Sequence, residues 1–200
     1  MHSILLLLLF LSTIQIDCFK NRNKFVFKLT NNLINHPFKI DQSESPFSIT
    51  KCNHIVEKFK NKDVLIVGDG DFSFANALSN MKITSSLTAS TKDNQDRLYK
   101  SFVNSQKNVE SIIANGDDVL YGVDATNITI SKEYDIVLWN FPHIVGKQNI
   151  KYNRLLIRSF LNSTGHNNNL LRINGSILIS LCEGQSGTKA MNQEEWNHSW

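Results

Sequence analysis

Short apolar runs alternate with longer amphipathic stretches from residue 63 onward, and this alternation limits what the chain can fold into. The runs at 64–67 and 134–139 are short and rich in aliphatic and aromatic residues, as buried strands are. The stretches between such runs show a partial period of 3.6 residues, which indicates helices. Strands that alternate with helices build βαβ units around a parallel sheet, so the sequence predicts an α/β fold.

This pattern predicts five strands and three helices. The expected strands are residues 64–67, 86–89, 119–121, 134–139 and 176–181. The expected helices are residues 74–80, 95–115 and 151–162, and Gly116 caps the second of them. Along that second helix the apolar positions are Leu98, Phe102, Val109, Ile112 and Ile113. A chain of 200 residues has room for one such domain and rarely for two.

The N-terminal part of the chain has the composition of targeting segments. Residues 4–11 are nearly all leucine, too short a run for a membrane-spanning helix but suited to a secretory signal peptide, which we predict at residues 1–18. Residues 19–61 are basic and rich in Asn, which is typical of a transit-like segment or of a linker. These features predict entry into the secretory route, a plastid-type organelle as destination and no membrane span in the mature chain. The alternatives are a membrane anchor, a buried strand and a wrongly assigned start. A wrongly assigned start would leave the protein in the cytoplasm or nucleolus.

Charge and cysteine content identify neither a partner nor a metal site. The net charge of +3 originates in residues 19–62, with nine basic and three acidic side chains, whereas residues 63–200 carry 12 basic and 14 acidic ones. The predicted domain is therefore close to neutral, so charge alone does not indicate nucleic acid or a membrane. The three cysteines, Cys18, Cys52 and Cys182, lie far apart without a CxxC pair, which supports neither a disulfide framework nor zinc.

A loop with two glycines follows the first predicted strand, at the edge where open α/β sheets bind ligands. The glycines allow a tight turn and a close approach to a ligand, and a serine stands where GxGxxG has its third glycine. Two acids in the loop would repel a pyrophosphate and favour a zwitterionic or cationic ligand, of which S-adenosylmethionine is one. A plain strand-to-helix turn is the alternative. The predicted cofactor-binding residues here are Gly68, Asp69, Gly70, Asp71 and Ser73.

Two further acids follow the second and third predicted strands. Asp93 lies about 20 residues beyond the glycine loop, where an acid commonly accepts hydrogen bonds from a cofactor ribose. Its alternative role is the N-cap of the next helix. Asp124 is a candidate acceptor for an adenine amino group, and its alternative is a turn-forming Asp bonded to its own backbone. We predict both as cofactor-binding residues.

The sharpest local signal lies at the end of the fourth predicted strand. An Asn followed by an aromatic residue, a Pro and another ring resembles the Asn-Pro-Pro-Tyr type of loop in amino methyltransferases. In such loops the amide binds the edge that carries the target nitrogen and a ring stacks on the base. A simple turn is the alternative. The predicted catalytic residues are Asn140, Phe141, Pro142 and His143.

Together these strings resemble one family, the Rossmann-like methyltransferase domain of the 25S rRNA uridine-N3 methyltransferase type. The resemblance rests on residues 67–74, 121–126, 140–143 and 153–156 and covers residues 62–200. Residues 181–188 and 195–200 look more like the branch found in ferredoxin-fold anticodon-binding domain-containing proteins. The resemblance implies an α/β, Rossmann-like methyltransferase sheet with S-adenosylmethionine as cofactor. It also implies a domain at 62–200 that lacks its last strands, because the chain stops at Trp200, and therefore an unpaired sheet edge.

The activity that this resemblance implies is transfer of the sulfonium methyl to N3 of a uridine in RNA, with rRNA as the first substrate and tRNA as the alternative. His143 is the nearest candidate for the base that removes the imino proton. Trp139 and Phe141 are candidates for holding an extruded base, and core packing is the alternative role for both. The competing interpretation is an RNA-binding module that kept the fold and lost catalysis. The sequence leaves the oligomeric state open.

Overall fold

The computed structural model describes residues 13–21, 24–30, 56–144, 150–165 and 170–181. Its strands are β1 (Thr13–Asn21), β2 (Lys24–Thr30), β3 (Asp63–Val67), β4 (Ser86–Ser90), β5 (Asp118–Leu120), β6 (Tyr134–Asn140) and β7 (Leu171–Ser180). Its helices are α1 (Ser73–Met81), α2 (Gln95–Ser101), α3 (Ser105–Ala114) and α4 (Ile150–Gly165). Among the described residues, no helix is long and apolar enough to span a bilayer.

The strands form one sheet in the order β2-β1-β7-β6-β3-β4-β5. The five strands from β3 to β7 pair in parallel, as the sequence predicts, and β1 and β2 are antiparallel. Counting from β3, the parallel strands follow the 3-2-1-4-5 order of a doubly wound sheet. The predicted fold class is therefore confirmed. The order reverses between β3 and β6, and this reversal opens a crevice at the carboxyl ends of these two strands.

Alternate side chains of the central strands point to opposite faces of the sheet and contribute to an apolar layer on each face. On one face Leu65, Val137 and Trp139 pack against Ile157 and Phe160 of α4. The other face packs against α1, α2 and α3 through Val64, Ile66, Leu138, Ala75, Leu78, Leu98, Val109 and Ile112. Burial on both faces explains why residues 64–67 of β3 and 136–139 of β6 are continuous apolar runs in the sequence.

The expected helix at 95–115 is wrong as a single helix, because the chain breaks into α2 and α3. At the break Phe102 has extended backbone angles, and the hydroxyl of Ser105 donates to the carbonyls of Leu98 and Phe102. The same two carbonyls also accept from the backbone N–H groups of Phe102 and Ser105, respectively, so the Ser105 hydroxyl adds to the backbone hydrogen bonds that hold the break. The break also changes the helical phase, so Phe102 and Ile113 are exposed rather than buried. Gly116, with φ +88°, follows Asn115, the C-cap of α3, and so ends the helix as the sequence predicts.

The edge of β7 is paired, which corrects the expectation of an open sheet edge. Residues 13–17 run antiparallel to residues 176–180, and β2 pairs with the far side of β1. The sequence carries the period of two that a strand requires, in the alternation of Ile14 and Ile16 with Gln15 and Asp17. The predicted boundary at residue 18 falls inside β1. The expected strands and helices between residues 62 and 181 otherwise match the observed ones to within a few residues, except that β7 begins earlier.

Gly68 fixes the turn that leaves β3 because two independent features of its position exclude a side chain. Its φ is +66°, a backbone conformation that is costly for residues with a Cβ. A Cβ built there would lie 2.6 Å from Nε1 of the Trp139 indole. Gly70 differs in both respects, because its φ is not in the left-handed region and its Cβ would meet only Phe102 Cζ, at 4.0 Å.

We therefore predict that Gly68→Ala lowers the free energy of unfolding by at least ~1–2 kcal/mol, the cost of a left-handed conformation for an L-residue. Gly70→Ala is the matched control and should change it by less than ~1 kcal/mol. Urea unfolding of the full chain, followed by circular dichroism, measures both. Equal losses in the two variants would contradict this account of the turn.

Candidate functional site

Two loops meet at the crevice between β3 and β6. Val67 of β3 pairs with Trp139 of β6, so the glycine loop and the loop at 140–143 leave neighbouring strands side by side. Loops after β4 and β5 border the same edge, because all these strands are parallel. The structure thus brings all four sequence-predicted clusters to one edge of the sheet.

The glycine loop is held by its own acids. A carboxylate oxygen of Asp69 accepts a hydrogen bond from the backbone N–H of Ala75 at 2.8 Å, and Asp71 accepts one from the N–H of Ser73 at 3.0 Å. Both donors belong to the first turn of α1, whose N–H groups have no partner within the helix. Phe72 follows Asp71 as the N-cap of α1, has a φ of +62° and buries its ring against Tyr121. Two of the predicted cofactor-binding acids are therefore structural parts of the loop.

Gly70 is the exposed point of this loop. A Cβ there would meet no protein atom closer than 4.0 Å, so the fold itself does not require glycine at this position. The missing side chain leaves open space beside the loop backbone, as close contact with a ligand would require. The carboxylates around it favour a ligand that carries positive charge. This surface therefore fits the sulfonium and ammonium groups of S-adenosylmethionine.

Burial raises the pKa of Asp69 to about 7. The hydrogen bond from Ala75 opposes this rise, whereas the neighbouring charge of Asp71 adds to it. Near pH 7 the carboxyl is therefore partly protonated in the folded chain. A positive charge brought into the crevice would favour the ionised form and lower this pKa.

The loop after β4 separates the two roles considered for Asp93. The N-cap of α2 is Asn94, whose side chain accepts from the N–H of Arg97 at 2.9 Å, so the N-cap interpretation of Asp93 is wrong. Asp93 instead pairs with the guanidinium of Arg97 at 3.2 Å. Its backbone carbonyl accepts from the N–H of Gly122 and joins this loop to the one after β5. A ribose-binding role for Asp93 stays a prediction.

Asp124 adopts the turn geometry that was the alternative to a binding role. One carboxylate oxygen accepts from both the N–H and the hydroxyl of Thr126, at 2.8 and 2.6 Å. The other pairs with Lys92 at 2.8 Å. The Lys92 ammonium, followed by the Thr126 hydrogen bonds, lowers the pKa of Asp124 to about 2. This carboxylate is ionised and ties two rim loops together, and its bond to an adenine amino group stays a prediction.

The loop that follows β6 is held from β7. Ser180 donates its hydroxyl hydrogen to Oδ1 of Asn140 at 2.7 Å, and its carbonyl accepts from the N–H of Phe141 at 2.8 Å. Phe141 has a φ of +51°, which is uncommon for an aromatic residue and costs of order 1–3 kcal/mol. Pro142 follows with a fixed φ. The loop is therefore a rigid, strained turn.

The protonation of His143 follows from its partner. Nδ1 lies 2.9 Å from the carbonyl oxygen of Phe141, and a carbonyl can only accept. Nδ1 must therefore carry a hydrogen, which leaves Nε2 as the unprotonated nitrogen of the neutral ring. The side chain is exposed at the mouth of the loop. This tautomer suits a group that accepts a proton through Nε2.

Trp139 belongs to the core rather than to a base-binding surface. Its ring is 8% exposed, packs edge-on against Phe160 at a centroid distance of 4.8 Å and covers Gly68. The core-packing alternative is therefore confirmed for Trp139. Phe141, which is partly exposed in the loop, keeps its base-holding role as a prediction.

Four residues at the site have roles that the residue patterns alone did not reveal. Phe102 lies beside Gly70, Lys92 pairs with Asp124, and Ser180 orients Asn140. Buried Asn153 on α4 accepts from the N–H of Ile144 at 3.1 Å and anchors the end of the loop. Asn153 lies within the string at 153–156 that the family resemblance quotes, so a signal for this residue was present. The other three depend on contacts between distant segments.

The two perturbed carboxyls predict opposite effects of pH on stability. The Asp69 pKa is raised in the folded chain, so its contribution is fully present below about pH 4 and is lost as the pH rises through about 7. The urea concentration at the unfolding midpoint should therefore be higher for Asp69→Asn than for wild type at pH 8. This difference between variant and wild type should be smaller at pH 5. Asp124→Asn is the control of opposite sign, because that stability is present above about pH 4 and is lost toward pH 2. Parallel pH profiles for wild type and Asp69→Asn would contradict this assignment.

Comparisons with known proteins identify a family for this chain. The model of the BMT5-like family, described as rRNA (uridine-N3-)-methyltransferase BTM5-like, matches residues 65–200. Ferredoxin-fold anticodon-binding domain-containing protein 1 of Homo sapiens is 33% identical over 144 residues, which cover 68% of this chain and 22% of that protein. Heavy metal-associated isoprenylated plant protein 41 of Arabidopsis thaliana is 31% identical over 132 residues, which cover 60% of this chain and 25% of that protein. The chain spans about a quarter of the length of these relatives.

Solved structures of methyltransferases are also similar to this chain. The glycopeptide N-methyltransferase MtfA complexed with sinefungin matches 64% of this chain and 51% of its own, at 12% identity and a TM-score of 0.46. The ribosomal protein L11 methylase from Lactobacillus delbrueckii subsp. bulgaricus matches 65% and 58%, at 15% identity and a TM-score of 0.42. Because the family model matches more than half of the chain, the chain belongs to the BMT5-like family.

Proposed function

We propose that this chain is an S-adenosylmethionine-dependent methyltransferase that acts on N3 of a uridine in RNA, with ribosomal RNA as the first candidate. Family membership and the crevice at the strand-order reversal support this proposal. The uridine target rests on one observation about this chain, the orientation of the Asn140 amide. Transfer RNA is the second candidate substrate.

The cofactor would lie against the glycine loop. The backbone from Gly68 to Ser73 would cradle its methionine part, where the open side of Gly70 leaves space. Asp93 would accept from the ribose hydroxyls and Asp124 from the adenine amino group. When bound, S-adenosylmethionine supplies an electrophilic methyl group on a positively charged sulfur. The acids of this rim favour that charge.

The amide of Asn140 distinguishes between nucleobase edges. Its Oδ1 accepts from Ser180, and Nδ2, which can only donate, would be the atom that faces a substrate. Amino targets such as adenine N6 present hydrogens and would need an acceptor. N3 of uracil lies between two carbonyl oxygens, which need a donor. This orientation of the amide would therefore favour uracil N3 over an exocyclic amine.

The proton on N3 must leave during the transfer, and His143 is placed to take it. The carbonyl of Phe141 holds the hydrogen of His143 on Nδ1 and keeps Nε2 unprotonated in the neutral ring. Nε2 is thus the acceptor for the imino proton, directly or through one water molecule. The strained Phe141–Pro142 turn keeps this group beside Asn140. Fixed positions of this kind lower barriers because the reactants lose less freedom on reaching the transition state.

The location of the protein is a separate part of the proposal. The Leu-rich start leads us to propose entry into the secretory route and a plastid-type organelle. Cleavage at the predicted boundary of residue 18 would cut β1 and leave one edge of β7 unpaired. A fluorescent fusion to residues 1–62 should enter the secretory route, and N-terminal sequencing of the mature product locates the cleavage. A diffuse cytosolic signal would contradict the targeting prediction.

Methyl transfer tests the activity. The full chain, labelled S-adenosylmethionine and RNA are incubated, and digestion to nucleosides should place the label in 3-methyluridine. Asn140→Ala should lower the rate about 10²–10³-fold, the usual loss for one positioned donor, with cofactor affinity unchanged. Asn140→Asp keeps the shape of the side chain but loses the Nδ2 donor, so its rate of methyl transfer should fall by a similar factor. Gly70→Val is the cofactor-side variant and should lose affinity while remaining folded.

The same assay contains outcomes against the proposal. Undiminished transfer by Asn140→Asp would remove the donor argument, and label in an exocyclic amine would overturn the uridine assignment. A wild-type chain that binds S-adenosylmethionine and RNA but transfers no methyl group would favour the RNA-binding module instead. Calorimetry of S-adenosylmethionine binding by each folded variant separates loss of cofactor from loss of catalysis.

A further inference from the structure

Helix α4 presents an exposed face of basic and apolar residues beside the loop at 140–143. Lys151, Leu155 and Arg158 recur at intervals of four and three residues, so they lie on one side of the helix. Lys151 and Arg158 are exposed, and Tyr152 and Leu155 are 54% and 52% exposed. The opposite side is buried through Ile157 and Phe160, which pack on the sheet. Among the residues that the structure describes, the outward side of α4 is therefore exposed.

The charge of α4 differs from that of the rest of the domain. It contains three basic residues, the third being Arg154, and no acidic one. Residues 56–144 carry nine basic and 12 acidic side chains. The acids cluster partly at the glycine loop, where they favour a cationic cofactor. A polyanion is therefore repelled from that part of the domain and attracted to α4.

The position of α4 links this face to the reaction site. The buried amide of Asn153, in the first turns of the helix, accepts from the N–H of Ile144 at the end of the catalytic loop. Lys151 precedes that anchor by two residues, and Arg158 lies about 10 Å further along the helix from Lys151, at ~1.5 Å per residue. If an RNA strand is bound along α4, the nucleotides next to those that contact the helix lie close to the loop at 140–143.

We propose that the outward face of α4, defined by Lys151, Tyr152, Leu155 and Arg158, binds the backbone and one base of the RNA whose uridine enters the loop at 140–143. This inference rests on the proposed function. Basic side chains contact phosphates and an exposed aromatic ring stacks on a base, the combination that single-stranded nucleic acid requires. The phosphate contacts position the strand without reading its sequence.

Charge removal tests the phosphate contacts. RNA binding by the full chain is followed by fluorescence anisotropy with a uridine-containing oligonucleotide over a range of salt concentrations. The double variant Lys151→Gln/Arg158→Gln should bind roughly 2- to 30-fold more weakly. Its dependence of log K on log salt should be less steep by about 1.4, or ~0.7 for each phosphate that the variant no longer neutralises. Lys82→Gln/Lys107→Gln, which removes two exposed charges from the opposite side of the sheet, is the matched control and should change neither quantity.

Tyr152 gives an independent test. Tyr152→Ala should lose roughly 5- to 150-fold in affinity, as expected for one stacked base, with the salt slope unchanged. Tyr152→Phe keeps the ring and should bind as wild type does. Affinity for S-adenosylmethionine should be unchanged in every α4 variant, which separates this inference from the cofactor site.

Three results would overturn the proposal. The first is RNA affinity that is as high in the α4 variants as in wild type. In that case the proposed function would still stand if the wild-type chain methylates uridine. The second is no measurable RNA binding by wild type. The third is sedimentation showing that wild type self-associates and that the α4 variants abolish this, because the face would then bind a second copy. A different result would separate the two proposals. If the α4 variants lose RNA binding but the wild-type chain binds no S-adenosylmethionine, the RNA-binding role of α4 would be supported and the proposed function would be overturned.

Discussion

The parallel pairing of β3 with β6 is the constraint on which the site depends. These strands are far apart in the sequence, and each is buried on both faces, so their register is fixed by core packing. The strand order reverses at this pair, and the chain leaves the sheet in opposite directions on its two sides. The glycine loop and the loop at 140–143 therefore begin side by side. Four clusters of polar and glycine residues, separated along the chain, become one rim.

The two central loops are held in conformations that their residues would not adopt alone. Phe72 and Phe141 have φ values of +62° and +51°, and both lie at the reversal point. At Phe72 the cost of the left-handed backbone is offset by burial of the ring. Phe141 is held by the hydrogen bond to the Ser180 carbonyl and by the contact of Asn153 with Ile144 beyond it. Strain of this kind persists only where surrounding contacts determine the backbone. The rim is therefore preorganised by the sheet and by α4.

The sequence was sufficient for the parts of the fold that have a regular period. The central strands read as apolar runs because both of their faces are buried, and α4 shows its buried stripe. The break between α2 and α3 was not predictable, because Ser105 closes it through its own hydroxyl and carries no turn signature. The N-terminal hairpin was missed because the leucine run before it dominates the hydropathy, although Ile14 and Ile16 already alternate with polar residues.

The site was predictable as a set of positions and less so as a set of roles. Glycines, acids and the Asn-Phe-Pro-His string mark strand ends, and parallel strands bring their ends together. Which partner each side chain has depends on distant segments: Asn94 rather than Asp93 caps α2, and Lys92 engages Asp124. The orientation of Asn140 is set by Ser180, 40 residues further along the chain. No local pattern carries such information.

Amide hydrogen exchange of the full chain, with and without S-adenosylmethionine, tests the central claim that the crevice between β3 and β6 holds the cofactor. Binding lowers the population of open states at the amides it covers, so exchange slows there. The account predicts protection of residues 68–75 together with 91–93 and 121–125, while the surface of α4 exchanges as before. Saturating cofactor that leaves the glycine loop unprotected, or that protects a surface away from this edge of the sheet, would contradict it.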